Sequence, residues 1–379
     1  MDAEAGLYFL HPQAAAPGHR LELLVGGETA YPLMLEAIAA ARRTVYLESY
    51  LWQDDVIGRR FADALIDAAS RGAQVCAVRD AVGSYGFAGA LESRLRASGV
   101  RVAEFHPMSP FGRRPGLAVR DHRKLLVVDG EVAFLGGMNI GDDYAPHTWG
   151  GKGFYDVHLR LRGPEVATCD RLFAVAWRYV TGERLGPRQV FPEVESGGAR
   201  VQVMAFDSRR SRRLIRIHYE HALKRARRSI VILAAYFIPD RGLRAILRKA
   251  VGRGVEVRVL LPYANDVAMV QYASRFTYAS LLRAGVQLYE WLPGMVHAKA
   301  MAVDGRWLAV GSYNLDQRSL RYNWELSAAS DDPEACRALE AAFDVAALQA
   351  KKITRAEWTK RPLWTRILQW WAYLFRSWL

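Results

Sequence analysis

Residues 120–139 read RDHRKLLVVDGEVAFLGGMN. Two apolar runs rich in β-branched side chains, LLVV and VAFL, flank Asp129-Gly130, a dipeptide that turns one strand back on another. The stretch therefore predicts a β-hairpin. His122 and Lys124 stand two apart on the entering strand, so their side chains leave the same face. Gly136-Gly137 lets the backbone pass close to that face, and Asn139 follows. An imidazole, an ammonium and an amide converging beside glycines suit a phosphate. Read alone, the same residues also describe a surface His–Lys pair before an ordinary turn.

The chain writes the stretch twice. Residues 296–314 read VHAKAMAVDGRWLAVGSYN, with His297, Lys299, Asp304-Gly305, Gly311-Ser312 and Asn314 in the same order. The spacing H-x-K-x4-D holds at both places, and packing alone does not duplicate so many features. The duplication extends outward. TVYLESYLW (44–52) matches IVILAAYFI (230–238); helices ending at Gly72 and Gly254 match, as do AQVCAVR and VEVRVLL, and VRVAEF and VQLYEW. In the second half the helix before Gly285 is read only over Leu281–Ala284. Alternating strands and helices predict an α/β fold with a mixed sheet in each half. The seam falls in the Gly- and Pro-rich stretch near residues 186–200, and residues 1–20 read as irregular.

Composition narrows the function. The 379 residues carry 52 Lys and Arg against 39 Asp and Glu, a formal net charge of +13, so an anion is the expected partner. Basic clusters stand at Arg113-Arg114, Arg209–Arg216 and Lys224–Arg228. Cys76, Cys169 and Cys336 are far apart, which excludes a disulfide framework and a zinc site and fits a reducing compartment. No signal peptide and no membrane-spanning apolar run is read.

With both motifs in hand, the sequence resembles the phospholipase D superfamily over roughly residues 20–345. Within it the chain is most similar to bacterial cardiolipin synthases of the short type, on LESYLWQDD, RDHRKLLVVDG with VAFLGGMNIGDDY, AYFIPD, and HAKAMAVDG with GSYNLDQRSLRYNWE. The resemblance implies a duplicated phospholipase D-like fold: two α/β/α halves (21–185 and 201–350) with one active site at their interface. It implies transfer of a phosphatidyl group between two phosphatidylglycerol molecules to make cardiolipin, with release of glycerol. Hydrolysis of phospholipid or nucleic-acid phosphodiesters is the alternative, and a nucleic-acid partner is not expected. No cofactor or metal is implied.

The motif residues His122, Lys124, Asp129, His297, Lys299 and Asp304 form the candidate catalytic set. One imidazole attacks phosphorus and the other serves as acid and base; the resemblance favours His122 as nucleophile. Both lysines would hold the non-bridging oxygens, with Asn139, Asn314 and Ser312 as neutral donors. Asp129 and Asp304 lie five residues past their lysines, hence on the opposite strand face and at the turn, and are read as structural, fixing the hairpin through a buried pair. Asp156 and Glu325, grouped with the substrate-binding residues, are implied by the resemblance to orient the imidazoles.

Residues 354–379, TRAEWTKRPLWTRILQWWAYLFRSWL, predict an amphipathic helix after Pro362. Arg366, Gln369, Tyr373 and Arg376 make one stripe; Trp, Leu, Ile and Phe cover the rest. The segment reads as an interfacial helix on an anionic membrane surface, which places the protein peripherally on the cytoplasmic face of a bacterial inner membrane. A helix packed on the protein's own core, or a dimer contact, is the competing reading.

Overall fold

The computed structural model describes residues 5–87, 89–107, 119–186, 194–206, 211 and 213–378. Arg113-Arg114 and part of the Arg209–Arg216 cluster lie outside the described residues. In the first half, β1 (Ala16–Val25) is followed by α1 (Gly27–Ala40), β2 (Thr44–Ser49), α2 (Val56–Ser70), β3 (Gln74–Asp80), α3 (Gly89–Ala97) and β4 (Arg101–Phe105). The hairpin strands β5 (Lys124–Val128) and β6 (Val132–Gly136), then β7 (Val157–Arg162) and α4 (Val166–Thr181), complete it. The second half repeats the order with β8 (Ala199–Phe206), α5 (Leu214–Arg225), β9 (Ser229–Ala234), α6 (Arg241–Gly252), β10 (Glu256–Pro262), α7 (Ala268–Arg283) and β11 (Gln287–Trp291). Its hairpin is β12 (Lys299–Val303) and β13 (Trp307–Gly311), followed by α8 (Gln317–Arg321), β14 (Glu325–Ser330) and α9 (Pro333–Leu348). A last strand, β15 (Ala350–Ile353), and two helices, α10 (Arg355–Thr359) and α11 (Leu363–Leu374), end the described chain.

In each half three strands run parallel, β2-β3-β4 and β9-β10-β11, and the motif hairpin joins antiparallel beside the first of them. Each motif lysine thus stands opposite the carboxyl end of a parallel strand, Lys124 across from Ser49 and Lys299 across from Ala234. Ligands collect at such strand ends in open α/β sheets. The two ladders are joined by a short antiparallel contact of β1 with β8, at Ala16↔Val201 and His19↔Ala199. The expectation of an irregular segment over residues 1–20 is corrected here: β1 begins at Ala16, and Gly18 at φ 87° carries the irregularity in its register.

Three apolar layers hold the halves. Helices α1 to α3 cover the outer face of the first sheet, burying Tyr31, Ile38, Phe61 and Leu95 against Val45, Leu47, Leu126 and Phe134. Helices α5 to α7 do the same for the second, with Leu247, Tyr278 and Leu281 against Ile232, Val259 and Met301. Between the sheets lies a shared layer to which α4 gives Phe173 and Trp177 and α9 gives Leu339 and Phe343. Each such fully buried side chain contributes roughly 1.5–3 kcal/mol. The shared layer makes the halves one body and fixes the motif hairpins beside each other.

Local chemistry sets the ends. Gly72 and Gly254 follow α2 and α6 with φ of 93° and 87°, a conformation that stops a helix at little cost for glycine. Asp55 and Asp240 cap those helices through the amides of Gly58 and Leu243. At the hairpin tips Asp129 and Asp304 hold φ of 54° and 57°, each followed by a glycine at positive φ. Helix α7 is longer than the expected Leu281–Ala284: Val270, Ala273, Thr277 and Leu281 face inward at helical spacing. No helix among the described residues is long and apolar enough to cross a membrane.

Candidate functional site

Each motif histidine is stitched by backbone to the opposite half. His122 N donates to Trp324 O at 3.0 Å and Trp324 N to Arg120 O at 2.8 Å. His297 N donates to Tyr155 O at 2.8 Å and Tyr155 N to Met295 O at 2.8 Å. These bridges set Glu325 and Asp156, the next residues along, against the imidazoles. His122 Nδ1 lies 3.1 Å from Glu325 Oε2, and His297 Nδ1 lies 2.7 Å from Asp156 Oδ2. Both carboxylates, grouped on sequence with the substrate-binding residues, therefore contact an imidazole. With Nδ1 on a carboxylate, Nε2 is the other nitrogen of each ring, and that of His297 lies 3.1 Å from Lys299 Nζ.

The four motif groups are buried together. Lys124 donates to His122 O at 2.5 Å; Lys299 donates to His297 O and has Nζ 2.9 Å from His297 Nδ1. Burial, reinforced by the opposite ammonium, lowers Lys124 to about 7, and burial lowers Lys299 to about 8. Burial and both lysines push His122 well below its ordinary value. Burial and Lys299 also lower His297, against the pull of Asp156. The carboxylates differ. Burial raises Glu325 to about 7 despite Lys124 and a Ser312 hydrogen bond. Burial acts on Asp156 too, but its hydrogen bond with His297 and the charge of Lys299 outweigh it and hold the group below the usual range. The site thus holds two unlike pairs. His122–Glu325 resists charge, while His297 sits on an ionised carboxylate.

The remaining candidates divide. Asn314 Oδ1 is buried with no hydrogen-bond partner among the described residues; as it can only accept, a phosphate oxygen would be met by Nδ2 of the same amide. Asn139 is occupied: its Oδ1 accepts from Leu51 N at 3.2 Å and its Nδ2 donates to Tyr144 Oη at 2.6 Å. Ser312 is fully buried; its hydroxyl donates to Glu325 Oε2 at 2.5 Å and accepts from Leu326 N at 3.0 Å. The expected phosphate role of Ser312 is corrected to holding the Glu325 carboxylate.

Asp129 and Asp304 stand at the far ends of β5 and β12, about 16 Å along the strand from their lysines. Asp129 accepts the amides of Arg42, Arg43 and Thr44 within 2.9 Å; Asp304 accepts those of Arg227, Arg228 and Ser229 within 2.8 Å and the Tyr8 hydroxyl at 2.7 Å. They fasten the hairpin tip to the turn before the neighbouring strand, through backbone amides in place of the expected buried pair. All of these bonds lie at the hairpin tips, away from the motif histidines and lysines.

Sequence reasoning missed two tyrosines and a charge network. Tyr144 stands edge-on to the His297 ring at 5.2 Å and Tyr50 edge-on to the His122 ring at 5.0 Å. Tyr144 follows Asn139 by five residues, where the second half has Ser319, so the repeat itself pointed to the position. Beneath the first motif, Arg123 donates to Glu48 at 2.5 Å and to Asp121 at 3.2 Å, and Arg120 faces Asp80 at 3.4 Å. Ala298 and Met295 occupy the matching places in the second half, so the two sides of the site rest on different foundations.

Comparison with known proteins agrees with this geometry. The model of the family "Cardiolipin synthase, PLD-like domain" matches residues 34–149 and 219–346, one match per half. "Probable cardiolipin synthase YwiE" of Bacillus subtilis (strain 168) is 33% identical over 361 residues, covering 94% of this chain and 71% of the relative. "Cardiolipin synthase A" of Pseudomonas aeruginosa (strain LESB58) is 36% identical over 314 residues, 83% of this chain and 64% of the relative. Among solved structures, phosphatidylserine synthase of Haemophilus influenzae Rd KW20 covers 100% of this chain and 99% of its own, with TM-score 0.73 and 15% identity, which shows the shared fold. The chain therefore belongs to the phospholipase D superfamily, in the family of cardiolipin synthases with a phospholipase D-like domain.

Proposed function

We propose that this chain is a phosphatidyltransferase that makes cardiolipin from two phosphatidylglycerol molecules through a phosphatidyl-histidine. The carrying observation is the pair of unlike histidines, His122 on Glu325 and His297 on Asp156, flanking two buried lysines. The named relatives support the phosphatidyltransferase reading.

In the first step neutral His122 Nε2 attacks phosphorus. The P–O bond to glycerol breaks, and His297, as imidazolium, gives its Nε2 proton to the departing oxygen. Lys124, Lys299 and Asn314 bind the non-bridging oxygens, where negative charge accumulates. In the second step a hydroxyl of another phosphatidylglycerol enters where glycerol left. Its proton goes to His297, the new P–O bond forms, the P–N bond breaks, and His122 is restored. The ionised Asp156 suits a ring that must carry charge between steps. The pair with Glu325 suits a ring that must stay neutral until it attacks. Lipid would reach the site from an anionic membrane surface, with the protein peripheral on the cytoplasmic face of the inner membrane.

Incubation with labelled phosphatidylglycerol, alone or with glycerol or phosphatidylethanolamine, tests this by product mass. Cardiolipin with glycerol released in equal amount is expected. Phosphatidic acid as the sole product would replace the transferase by a hydrolase.

A further inference from the structure

Helix α11 is amphipathic, but it is mounted the wrong way round for a soluble protein. Its inward stripe is Thr365, Gln369 and Ala372, at helical steps of four and three, and Arg376 just past its end folds back on Tyr373 O. Gln369 is 2% exposed and accepts a hydrogen bond from Arg361, and Ala372 is 3% exposed against Val270 and Ala273 of α7. Tyr373 stacks on Phe276 of α7 at 4.5 Å and accepts from Arg244 at 3.3 Å. The expected polar stripe is therefore real, yet apart from Arg366 it docks on the protein. Trp364, Ile367, Trp370, Trp371, Leu374 and Trp378 are left outside, 48% to 74% exposed.

We infer that this outward ridge is a preformed docking surface for an anionic phospholipid bilayer, fixed beside the mouth of the active site. An apolar ridge of this density is expected to be covered when the protein works. Three observations favour lipid over a second copy of the chain. Trp side chains beside exposed Arg366 have the composition of the membrane interface, and the chain carries a net charge of +13. The packing continues to the site: Ala372, Val270 and Ile238 form one cluster bordered by Tyr236, which follows Ala234, paired with Lys299, and Ala235, whose amide donates to Ala298 O at 2.9 Å. The substrate proposed above is itself a bilayer lipid, and the inference rests on that reading for its purpose though not for its geometry.

Because Gln369 and Tyr373 are already bonded, to Arg361 and to Arg244 of α6, and Ala372 is packed on α7, the helix need not fold on binding. Burial of the ridge supplies a salt-resistant attachment, and Arg366 adds a salt-sensitive part.

The test compares the full chain with Trp371→Glu/Trp378→Glu, two exposed positions whose change leaves the α7 contact intact. Sedimentation with phosphatidylglycerol vesicles should fall at least about tenfold at both low and high salt. Turnover on vesicles should fall with it, while turnover on monomeric short-chain phosphatidylglycerol stays unchanged. Vesicle binding equal to the parent's overturns the inference. A parent dimer that the substitutions dissociate, with vesicle binding retained, assigns the ridge to a second copy. If the parent binds vesicles through the ridge yet turns over neither form of lipid, the catalytic reading fails and the docking surface stands.

Discussion

Glu325 pairs with a histidine 203 residues earlier, His122, which belongs to the other half of the chain. The exchange is reciprocal, since Asp156 of the first half holds His297 of the second at 2.7 Å. Each half thus carries one motif histidine and the carboxylate that contacts the other's.

The inequality of the two pairs predicts the order of events. With His122 as nucleophile, His297→Asn should accumulate a phosphatidyl adduct on His122, because attack can occur but the second alcohol is not deprotonated. His122→Asn should carry none. Either change should lower turnover by roughly 10³- to 10⁶-fold, as for residues that act as a unit. Peptide mapping of the quenched protein by mass spectrometry decides it, and an adduct on His297 in the parent reverses the assignment.

Glu325→Gln should remove one limb of the pH profile. The Glu325 carboxyl is raised to about 7 by burial, so it gains its charge, and its hold on the imidazole Nδ1–H, as pH rises through 7. Lys124 and Lys299 lose theirs through about 7 and about 8. The parent should therefore show a bell, whose apparent values belong to the coupled groups. The glutamine variant should keep the falling limb, lose the rising one, and drop in kcat on the order of 10²- to 10⁴-fold. A variant with the parent's profile excludes Glu325 as the source.

The same lysines predict how an anion stabilises the fold. Their values lie below the unfolded value of about 10.4, so between the two the unfolded chain binds more protons and stability rises with pH. Inorganic phosphate in the site favours both ammonium forms. Its stabilisation should be largest below about pH 7 and should fade through about pH 8 and above, measured as the shift in thermal midpoint with and without phosphate. An equal shift at both ends of that range places the anion elsewhere.

Asp304→Asn should cost stability and spare chemistry. Despite burial, hydrogen bonds from Tyr8 and from the amides of Ser229, Arg227 and Arg228 hold Asp304 below the usual carboxylate range. A depressed carboxyl contributes stability that is present above its unfolded value of about 4 and is lost as pH falls through the folded one. Loss of the charge-assisted bonds should cost about 1–3 kcal/mol in a denaturant titration near neutral pH, with kcat per folded molecule unchanged. A fully folded but inactive variant would return Asp304 to the catalytic set.

Much of this was legible because the chemistry repeats. Two copies of a His-Lys spacing around an Asp-Gly turn gave the hairpins, the duplication and the four groups at the centre. The parity of a strand put Asp129 and Asp304 off the site. What stayed hidden was relational. That Glu325 serves His122 depends on which half each strand faces, and no local pattern carries that. Ser312 and Asn139 look equally fit for phosphate in the sequence; only their neighbours, Glu325 for one and Leu51 and Tyr144 for the other, show them already engaged. The stripe on α11 was found by spacing, but spacing does not say which side faces the protein. That was decided by α6 and α7, which offer Arg244 and Phe276 to Tyr373.

The swapped orienters have an ancestral consequence. A polypeptide of one half would possess a histidine whose aligned carboxylate points away to serve someone else, and would have no chemistry as a monomer. Two identical such chains, related by a twofold axis, would satisfy each other. In a single chain the two copies are free to differ. One histidine could then keep an aspartate and the other acquire a longer glutamate braced by Ser312, with a polar foundation beneath the first motif and an apolar one beneath the second.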